Sequence, residues 1–438
     1  MKKLLILTTT LVTLLSAVSC QQAEYLNPST ISQSQAVSSP DGLITLCNGL
    51  QYRYSTGGAL SVLYNTAAGA GLTTRELNVL NAGNIEELNL QTGGGSVTNG
   101  NGVVRNLWTQ SQLVRANAEL ILASTKVADN DPGTKSGIVG YASIFKALSL
   151  GTMSQFFEQV AIATGENAPF VPRVQALQEA IKTLEAAATQ VSPVAVSANF
   201  TGKVVTGIDI PNTIQALIAR YALFAGDYDK AIAAAAKVTL TSRSVFNFDD
   251  NTRNPLFEAS FQNLNVFQPT NASLGLSGVL APDAADKRLA FLTKVSSNTA
   301  VTPVVATAFY TANGSAAPVY LPGEMLLIQA EAYARKGDLV NAVTFLNRVR
   351  TKTAAQDALG IGAALPVYAG ANTADAILLE ILENRLVELA FQGFRLEDSR
   401  RFGRPGPGAT GAERNRNFFP YPRTARDNNS ATPADPAN

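Results

Sequence analysis

Histidine is absent from the 438-residue chain, and this restricts the chemistry that the protein can perform. A Ser-His-Asp or Cys-His relay and a histidine-ligated zinc site all require the imidazole ring. Paired carboxylates can still act in hydrolysis, as they do in glycosidases, so the composition disfavours an enzyme without excluding one. We therefore expect a protein that is not an enzyme, with no catalytic residues, no cofactor and no metal site.

The most concentrated group of ionisable side chains lies at residues 381–403. We select from it Glu383, Arg385, Glu388, Arg395, Asp398, Arg400 and Arg401. Gly393 is expected to end a helix and to return Arg395 toward the preceding turns, since glycine adopts left-handed conformations readily. Guanidinium groups bind carboxylates in a bidentate manner, so we interpret this charged block as a structural lattice that fixes a helix end to its neighbours. The alternative is that the block contacts a ligand or a transporter.

Aromatic rings and amides are the second group of residues with evident chemistry. The apolar face of a pyranose can stack on an aromatic ring, while its hydroxyls bond to Asn, Asp or Arg. Trp108 is the only tryptophan, and it lies in a predicted helix where a core position is the favoured interpretation. The low tryptophan content favours a small glycan or a ligand that is not a glycan. The expected ligand-binding residues are Tyr52, Tyr54, Tyr64, Arg75, Asn78 and Asn81.

The first twenty residues have the organisation of a secretory signal that ends in a cysteine. Two lysines precede an apolar run at 4–18, which is shorter than the ~20 residues needed to span a bilayer. Residues 17–20 (AVSC) resemble the bacterial lipobox, with alanine where leucine is preferred. We predict a signal peptide at 1–19, lipidation at Cys20 and a flexible tether at 20–40. An ordinary signal with an incidental cysteine is the alternative.

The rest of the composition excludes one class of partner. Removal of the two N-terminal lysines leaves 32 basic residues against 33 acidic ones (34 minus 2), so no nucleic acid is expected. Cys47 is the one other cysteine, and we interpret it as a small buried hydrophobe.

Helical periodicity dominates the chain after the tether. Apolar spacing predicts helices at 106–123, 141–160 and 174–190, with polar loops at 92–102 and 129–137. Two helical hairpins are predicted near 214–238 and 324–350. In each, a Gly-Asp step separates the helices, because glycine ends one helix and aspartate caps the next.

The expected fold is mainly α, a helical scaffold with hairpins like those of tetratricopeptide repeats (TPR), long irregular loops and minor β structure. The segment at 247–322 is rich in Pro, Asn, Gly and Ser and is predicted to be an irregular insertion. We predict a single helical domain at 41–438.

Taken in order, these features resemble the SusD/RagB family of outer-membrane nutrient-binding lipoproteins. The matching positions of the 381–403 block are Glu383, Arg385, Glu388, Leu389, Gly393, Arg395, Asp398, Arg400, Arg401, Phe402 and Gly403. A second block at 324–350 matches at Glu324, Ala330, Glu331, Ala332, Gly337, Asp338, Ala342, Asn347 and Arg350. Gln392 and Phe394 depart from the family pattern, which has Glu and His there.

The resemblance implies a lipid-anchored protein on the outer membrane that faces the cell exterior. Such a protein binds an oligosaccharide or another nutrient and delivers it to a SusC-like TonB-dependent barrel transporter. The family's ligand site draws on loops of the N-terminal half and of the later irregular region. Two alternatives remain open: a TPR-like scaffold that binds peptides or envelope partners, and a surface glycoside hydrolase with a carboxylate pair.

Overall fold

The computed structural model describes residues 33–437, and these residues are mainly helical. The signal peptide and Cys20 lie outside the described residues, as does most of the predicted tether. The helices are α1 (Gln33–Ala36), α2 (Pro40–Ser55), α3 (Val62–Thr73), α4 (Ile85–Thr92), α5 (Gly102–Ala123), α6 (Pro132–Phe156), α7 (Arg173–Val191), α8 (Ala198–Thr201), α9 (Ile210–Ala225), α10 (Tyr228–Ala235), α11 (Lys287–Leu292), α12 (Pro322–Arg335), α13 (Leu339–Arg350), α14 (Ala374–Glu388), α15 (Arg395–Arg401) and α16 (Arg423–Asn428).

The β structure is minor and consists of short antiparallel pairs. The strands are β1 (Leu77–Val79), β2 (Gln159–Ala161), β3 (Phe170–Pro172), β4 (Val245–Phe246), β5 (Phe267–Pro269), β6 (Thr293–Val295), β7 (Val304–Ala306) and β8 (Ala317–Pro318). They pair as β1 with β5, β2 with β3, β4 with β8 and β6 with β7. The predicted fold class, mainly α with minor β, is confirmed.

Both predicted hairpins are present, as α9–α10 and α12–α13. Gly226 has φ 81° and Gly337 has φ 83°, the left-handed conformation that ends a helix. Asp227 accepts a hydrogen bond from the backbone N–H of Lys230 at 3.1 Å, so it caps α10 as expected. Asp338 caps α13 in the same way.

A buried ion pair joins the first helices of the two hairpins. The Arg220 guanidinium of α9 donates to both carboxylate oxygens of Glu324 in α12, at 2.6 and 2.7 Å. Planar forks of this kind fix orientation as well as distance. The two repeated motifs therefore pack as one unit although they are far apart in sequence.

The predicted helices at 106–123 and 174–190 correspond closely to α5 and α7. The prediction for the helix between them is wrong at both ends, because α6 begins at Pro132 and ends at Phe156. Asp131 caps α6 by accepting from the Thr134 N–H at 3.0 Å, so most of the loop predicted at 129–137 is helical.

Two apolar clusters form the interior of the described residues. The large one extends from α2 through the irregular segment and includes residues of α12 and α14. The smaller one lies between α12, α13 and α14, where Leu327, Leu346 and Ile381 are fully buried. No helix among residues 33–437 is long and apolar enough to cross a membrane.

The segment predicted to be irregular, 247–322, packs back onto the N-terminal half. Leu77 of β1 lies opposite Pro269 of β5, and Val79 lies opposite Phe267. The segment also contains α11, β6 to β8 and a five-residue π-helix, Phe257–Phe261. This packing brings the two parts of the chain from which the ligand site was expected onto a common surface.

Candidate functional site

The charged block forms a buried lattice between α12, α14 and α15. Arg385 donates to both oxygens of Asp398, at 3.0 and 3.1 Å. Arg401 donates to Asp398 and to Glu331, each at 2.6 Å. Burial alone would raise the pKa of Glu331, but Arg401 and Arg385 lower it to about 2. These contacts fix α15 against α12 and α14.

The other members of the block differ in their surroundings. Glu388 accepts from Lys352 at 2.8 Å and from Arg288 at 3.0 Å, and all three side chains are buried. Arg400 donates to the backbone carbonyl of Gln155 at 2.5 Å. Glu383 has one carboxylate oxygen without a hydrogen-bond partner, and burial raises its pKa to about 7.

Two of the tyrosines expected in a ligand site face the interior. Tyr54 is 5% exposed and packs against Phe145, while its hydroxyl lies 3.1 Å from that of Thr152. Tyr64 is 1% exposed and donates to Glu87 at 2.9 Å. Neither ring is available for stacking on a sugar.

Tyr52 alone of these tyrosines presents its ring to solvent, with 59% of the residue exposed. It lies beside a hollow of about 400 Å³ that is also lined by polar side chains of the irregular segment. We call this hollow the Tyr52 cleft; its lining residues are Tyr52, Thr56, Gly57, Asp250, Asn251, Thr252, Arg253 and Glu258.

A tight turn presents the polar wall of the Tyr52 cleft. The Asp249 carboxylate accepts from the backbone N–H groups of Asn251 and Thr252, at 2.8 and 2.6 Å. These hydrogen bonds lower the pKa of Asp249 and fix residues 250–253 in one conformation. Arg253 lies 3.6 Å from Glu258 across the cleft wall. The cleft thus combines an exposed aromatic ring with carboxylate, amide, hydroxyl and guanidinium groups.

The polar wall was not among the predicted site residues. Its signal in the sequence is the run of polar residues at 249–253, which is typical of a turn. Nothing local shows that this turn lies next to α2.

The predicted asparagines, Asn78 and Asn81, do not line the Tyr52 cleft. Asn81 donates to the side-chain oxygen of Asn265 at 2.9 Å, and Asn84 donates to the backbone oxygen of that residue at 2.9 Å. Asn78 is half-buried in β1 and accepts from Gln91 at 3.2 Å. Arg75 lines a different cleft. The structure therefore does not bring the six predicted residues together.

Trp108 and Cys47 are both core residues, in agreement with the sequence interpretation. Trp108 is 6% exposed and stacks on Phe170 at 5.8 Å between ring centroids. Cys47 is fully buried, and burial raises its pKa. Within residues 33–437, no group of three or more Cys, Asp or Glu side chains is placed to hold a metal ion.

Comparison with known proteins shows which fold this chain has. A sequence model of the SusD family matches residues 291–436. The structure is similar to that of a SusD superfamily protein from Bacteroides fragilis, with a TM-score of 0.68 and 17% identity, over 90% of this chain and 99% of that one. These similarities show the SusD fold over most of the chain, and residues 291–436 also match the SusD family in sequence.

Other solved structures of this SusD fold extend the comparison. A SusD superfamily protein from Bacteroides vulgatus matches with a TM-score of 0.66 and 18% identity, over 91% of this chain and 99% of that one. A SusD-like carbohydrate binding protein from the same organism matches with a TM-score of 0.64 and 14% identity, over 84% of each chain. A search of curated proteins found no match.

Proposed function

We propose that this chain is a member of the SusD/RagB family. In this proposal it is a non-catalytic surface lipoprotein that binds a saccharide in the Tyr52 cleft and delivers it to a TonB-dependent barrel transporter. The observation that supports binding is the exposed Tyr52 ring beside the polar wall at 250–258. A tyrosine with 59% of its surface exposed gains nothing from core packing, and an exposed ring can stack on the apolar face of a sugar.

Removal of the Tyr52 ring should weaken saccharide binding. We expect Tyr52→Ala to raise the dissociation constant of the best-binding neutral oligosaccharide about ten-fold, equivalent to ~1.4 kcal/mol. The measurement is isothermal titration calorimetry, after a panel of neutral glucan, xylan and mannan oligosaccharides has been screened against the wild-type protein.

Two variants serve as controls for this experiment. Tyr52→Phe keeps the ring and should retain most of the affinity, whereas Tyr368→Ala removes a tyrosine that does not line the cleft and should change nothing. Equal affinities for Tyr52→Ala and the wild type would contradict the proposed site. Release of shortened products would contradict the non-catalytic assignment and favour the hydrolase alternative.

The proposed anchor is supported by the Cys20 motif, and the proposed transporter by the resemblance to the SusD/RagB family. We expect affinity purification from detergent-solubilised membranes to recover a large barrel protein in stoichiometric yield with the wild type. Cys20→Ala should move the protein out of the membrane fraction and abolish this recovery from membranes. Consistent absence of a barrel would contradict the delivery role, and a membrane-bound Cys20→Ala variant would contradict the lipid anchor.

A further inference from the structure

A second cleft, of about 390 Å³, lies between the N-terminal half and the C-terminal loops. Its walls are residues 74–75, the loop at 275–280, one face of α14, Arg395 and the loop at 404–413. We call it the Arg75 cleft. Its volume lies within the range of small-molecule sites, and it shares no residue with the Tyr52 cleft.

Arg75 is an exposed arginine in an unusual backbone conformation. Its φ is 61°, in the left-handed region that residues other than glycine rarely occupy. The backbone is fixed there because the Arg75 carbonyl accepts from the Thr270 hydroxyl at 2.7 Å. A Cβ at Gly275 would lie 2.0 Å from the same carbonyl oxygen, so only glycine fits opposite it. In the described part of the chain, the Arg75 side chain has no carboxylate partner.

Arg395 is a second arginine without a carboxylate partner among residues 33–437. Its guanidinium donates to the backbone oxygens of Leu274 and Gly275, at 2.5 and 3.5 Å. Burial lowers the pKa of Arg395, and the more distant Glu76 and Glu413 only partly oppose this. Backbone carbonyls supply no negative charge, so the environment of Arg395 would be improved by an anion.

The acids near the cleft do not compensate these charges. Glu413 is the one acid in the lining, and Arg404 holds it with hydrogen bonds from Nε at 3.0 Å and from Nη2 at 2.5 Å. Glu76 lies behind the wall, where burial raises its pKa and so disfavours its charged form. The Arg75 cleft therefore has a positive charge that the described side chains do not neutralise.

We infer that the Arg75 cleft binds the carboxylate of an acidic saccharide, with Arg75 and Arg395 as the two guanidinium groups that recognise it. Guanidinium forks match the planar geometry of a carboxylate. The hydroxyl groups of Ser277, Ser399 and Thr410 in the lining can bond to sugar hydroxyls. The apolar side chains of Leu382 and Leu386 provide a surface for the ring.

The probe for this site is trigalacturonate, titrated by calorimetry at low ionic strength. We expect Arg75→Asn to weaken its binding about ten-fold, since a charge-assisted hydrogen bond is lost. Asparagine is the suitable replacement because it tolerates the left-handed conformation. Raising the salt concentration should weaken wild-type binding more than binding by the variant, because screening acts on the charge that the variant lacks.

A second pair of variants tests the cleft without changing its arginines. Val279 is 67% exposed in the lining. Val279→Glu should repel trigalacturonate, whereas the neutral Val279→Gln should bind nearly as the wild type does. Arg243→Asn removes an exposed arginine outside the cleft and should leave the affinity unchanged.

The outcomes separate this inference from the proposed neutral-saccharide site. Equal binding of the fully methyl-esterified trimer would overturn it, as would equal affinities for Arg75→Asn and Arg243→Asn. Binding of inorganic phosphate or sulfate without trigalacturonate would overturn the saccharide assignment. Tyr52→Ala should leave trigalacturonate binding intact, so failure at one cleft is distinguishable from failure at the other.

Discussion

Replacement of the central buried carboxylate, Glu388→Gln, is expected to lower the free energy of unfolding by about 3–5 kcal/mol. Glu388 is fully buried between Lys352 and Arg288, and burial alone would raise its pKa. The two cations nevertheless hold the pKa below its ordinary value, so the native carboxylate is charged. Glutamine has the same shape as glutamate, but its N–H₂ group would face one of the two cations. Arg288 and Lys352 would then both lack the negative charge that Glu388 supplies to them.

The measurement for Glu388→Gln is urea denaturation monitored by circular dichroism at neutral pH. Glu185→Gln is the matched control, because Glu185 pairs with Lys230 at 2.7 Å on the surface, where both side chains are more than a third exposed. Exposed pairs contribute only about 0–1 kcal/mol, so this control should change little. Similar losses for the two variants would show that the buried lattice is not a principal source of stability.

The hairpins and the charged block could be predicted because their signals are local. Gly226 and Asp227 end one helix and begin the next through contacts within a few residues, and the same holds for Gly337 and Asp338. The start of α6 also had a local signal, since Asp131 is a suitable N-cap and Pro132 a suitable first residue. The sequence nevertheless predicts a loop at 129–137, because Gly133 and Gly137 are residues typical of loops.

The exposed and buried tyrosines of α2 could have been distinguished from the helical period. Leu43, Cys47, Leu50 and Tyr54 recur at intervals of three or four residues and form the buried face. Tyr52 falls between two of them and therefore points away from the core. The partners of Tyr52 in the irregular segment could not be predicted, because the pairing of β1 with β5 and the position of the 249–253 turn depend on contacts distant in sequence.

Replacement of a different member of the block, Glu383→Gln, is expected to stabilise the protein at alkaline pH. Glu383 is 7% exposed, and burial is the main cause of its raised pKa. The negative charges of Glu380 and Asp286 raise the pKa further, whereas the positive charges of Arg288 and Arg350 lower it. The unfolded chain ionises this carboxyl near its ordinary pKa of 4.5, but the folded protein does so at about 7. The folded protein therefore holds the proton more tightly than the unfolded chain does, and this difference contributes to the free energy of unfolding. The contribution is complete below pH 4.5, and it is lost as the pH rises to about 7.

Glutamine mimics the neutral carboxyl and keeps that stability at every pH. The variant and the wild type should unfold with similar free energies at pH 4.5, and the variant should be more stable by about 3 kcal/mol at pH 8. Urea titrations at a series of pH values measure this difference in the free energy of unfolding. Glu185→Gln is the control, and its stability relative to the wild type should not increase between pH 4.5 and pH 8. Lower stability of Glu383→Gln at pH 8 would mean that Arg288 and Arg350 require the charged carboxylate, and the pH dependence of the lattice would then have the opposite sign.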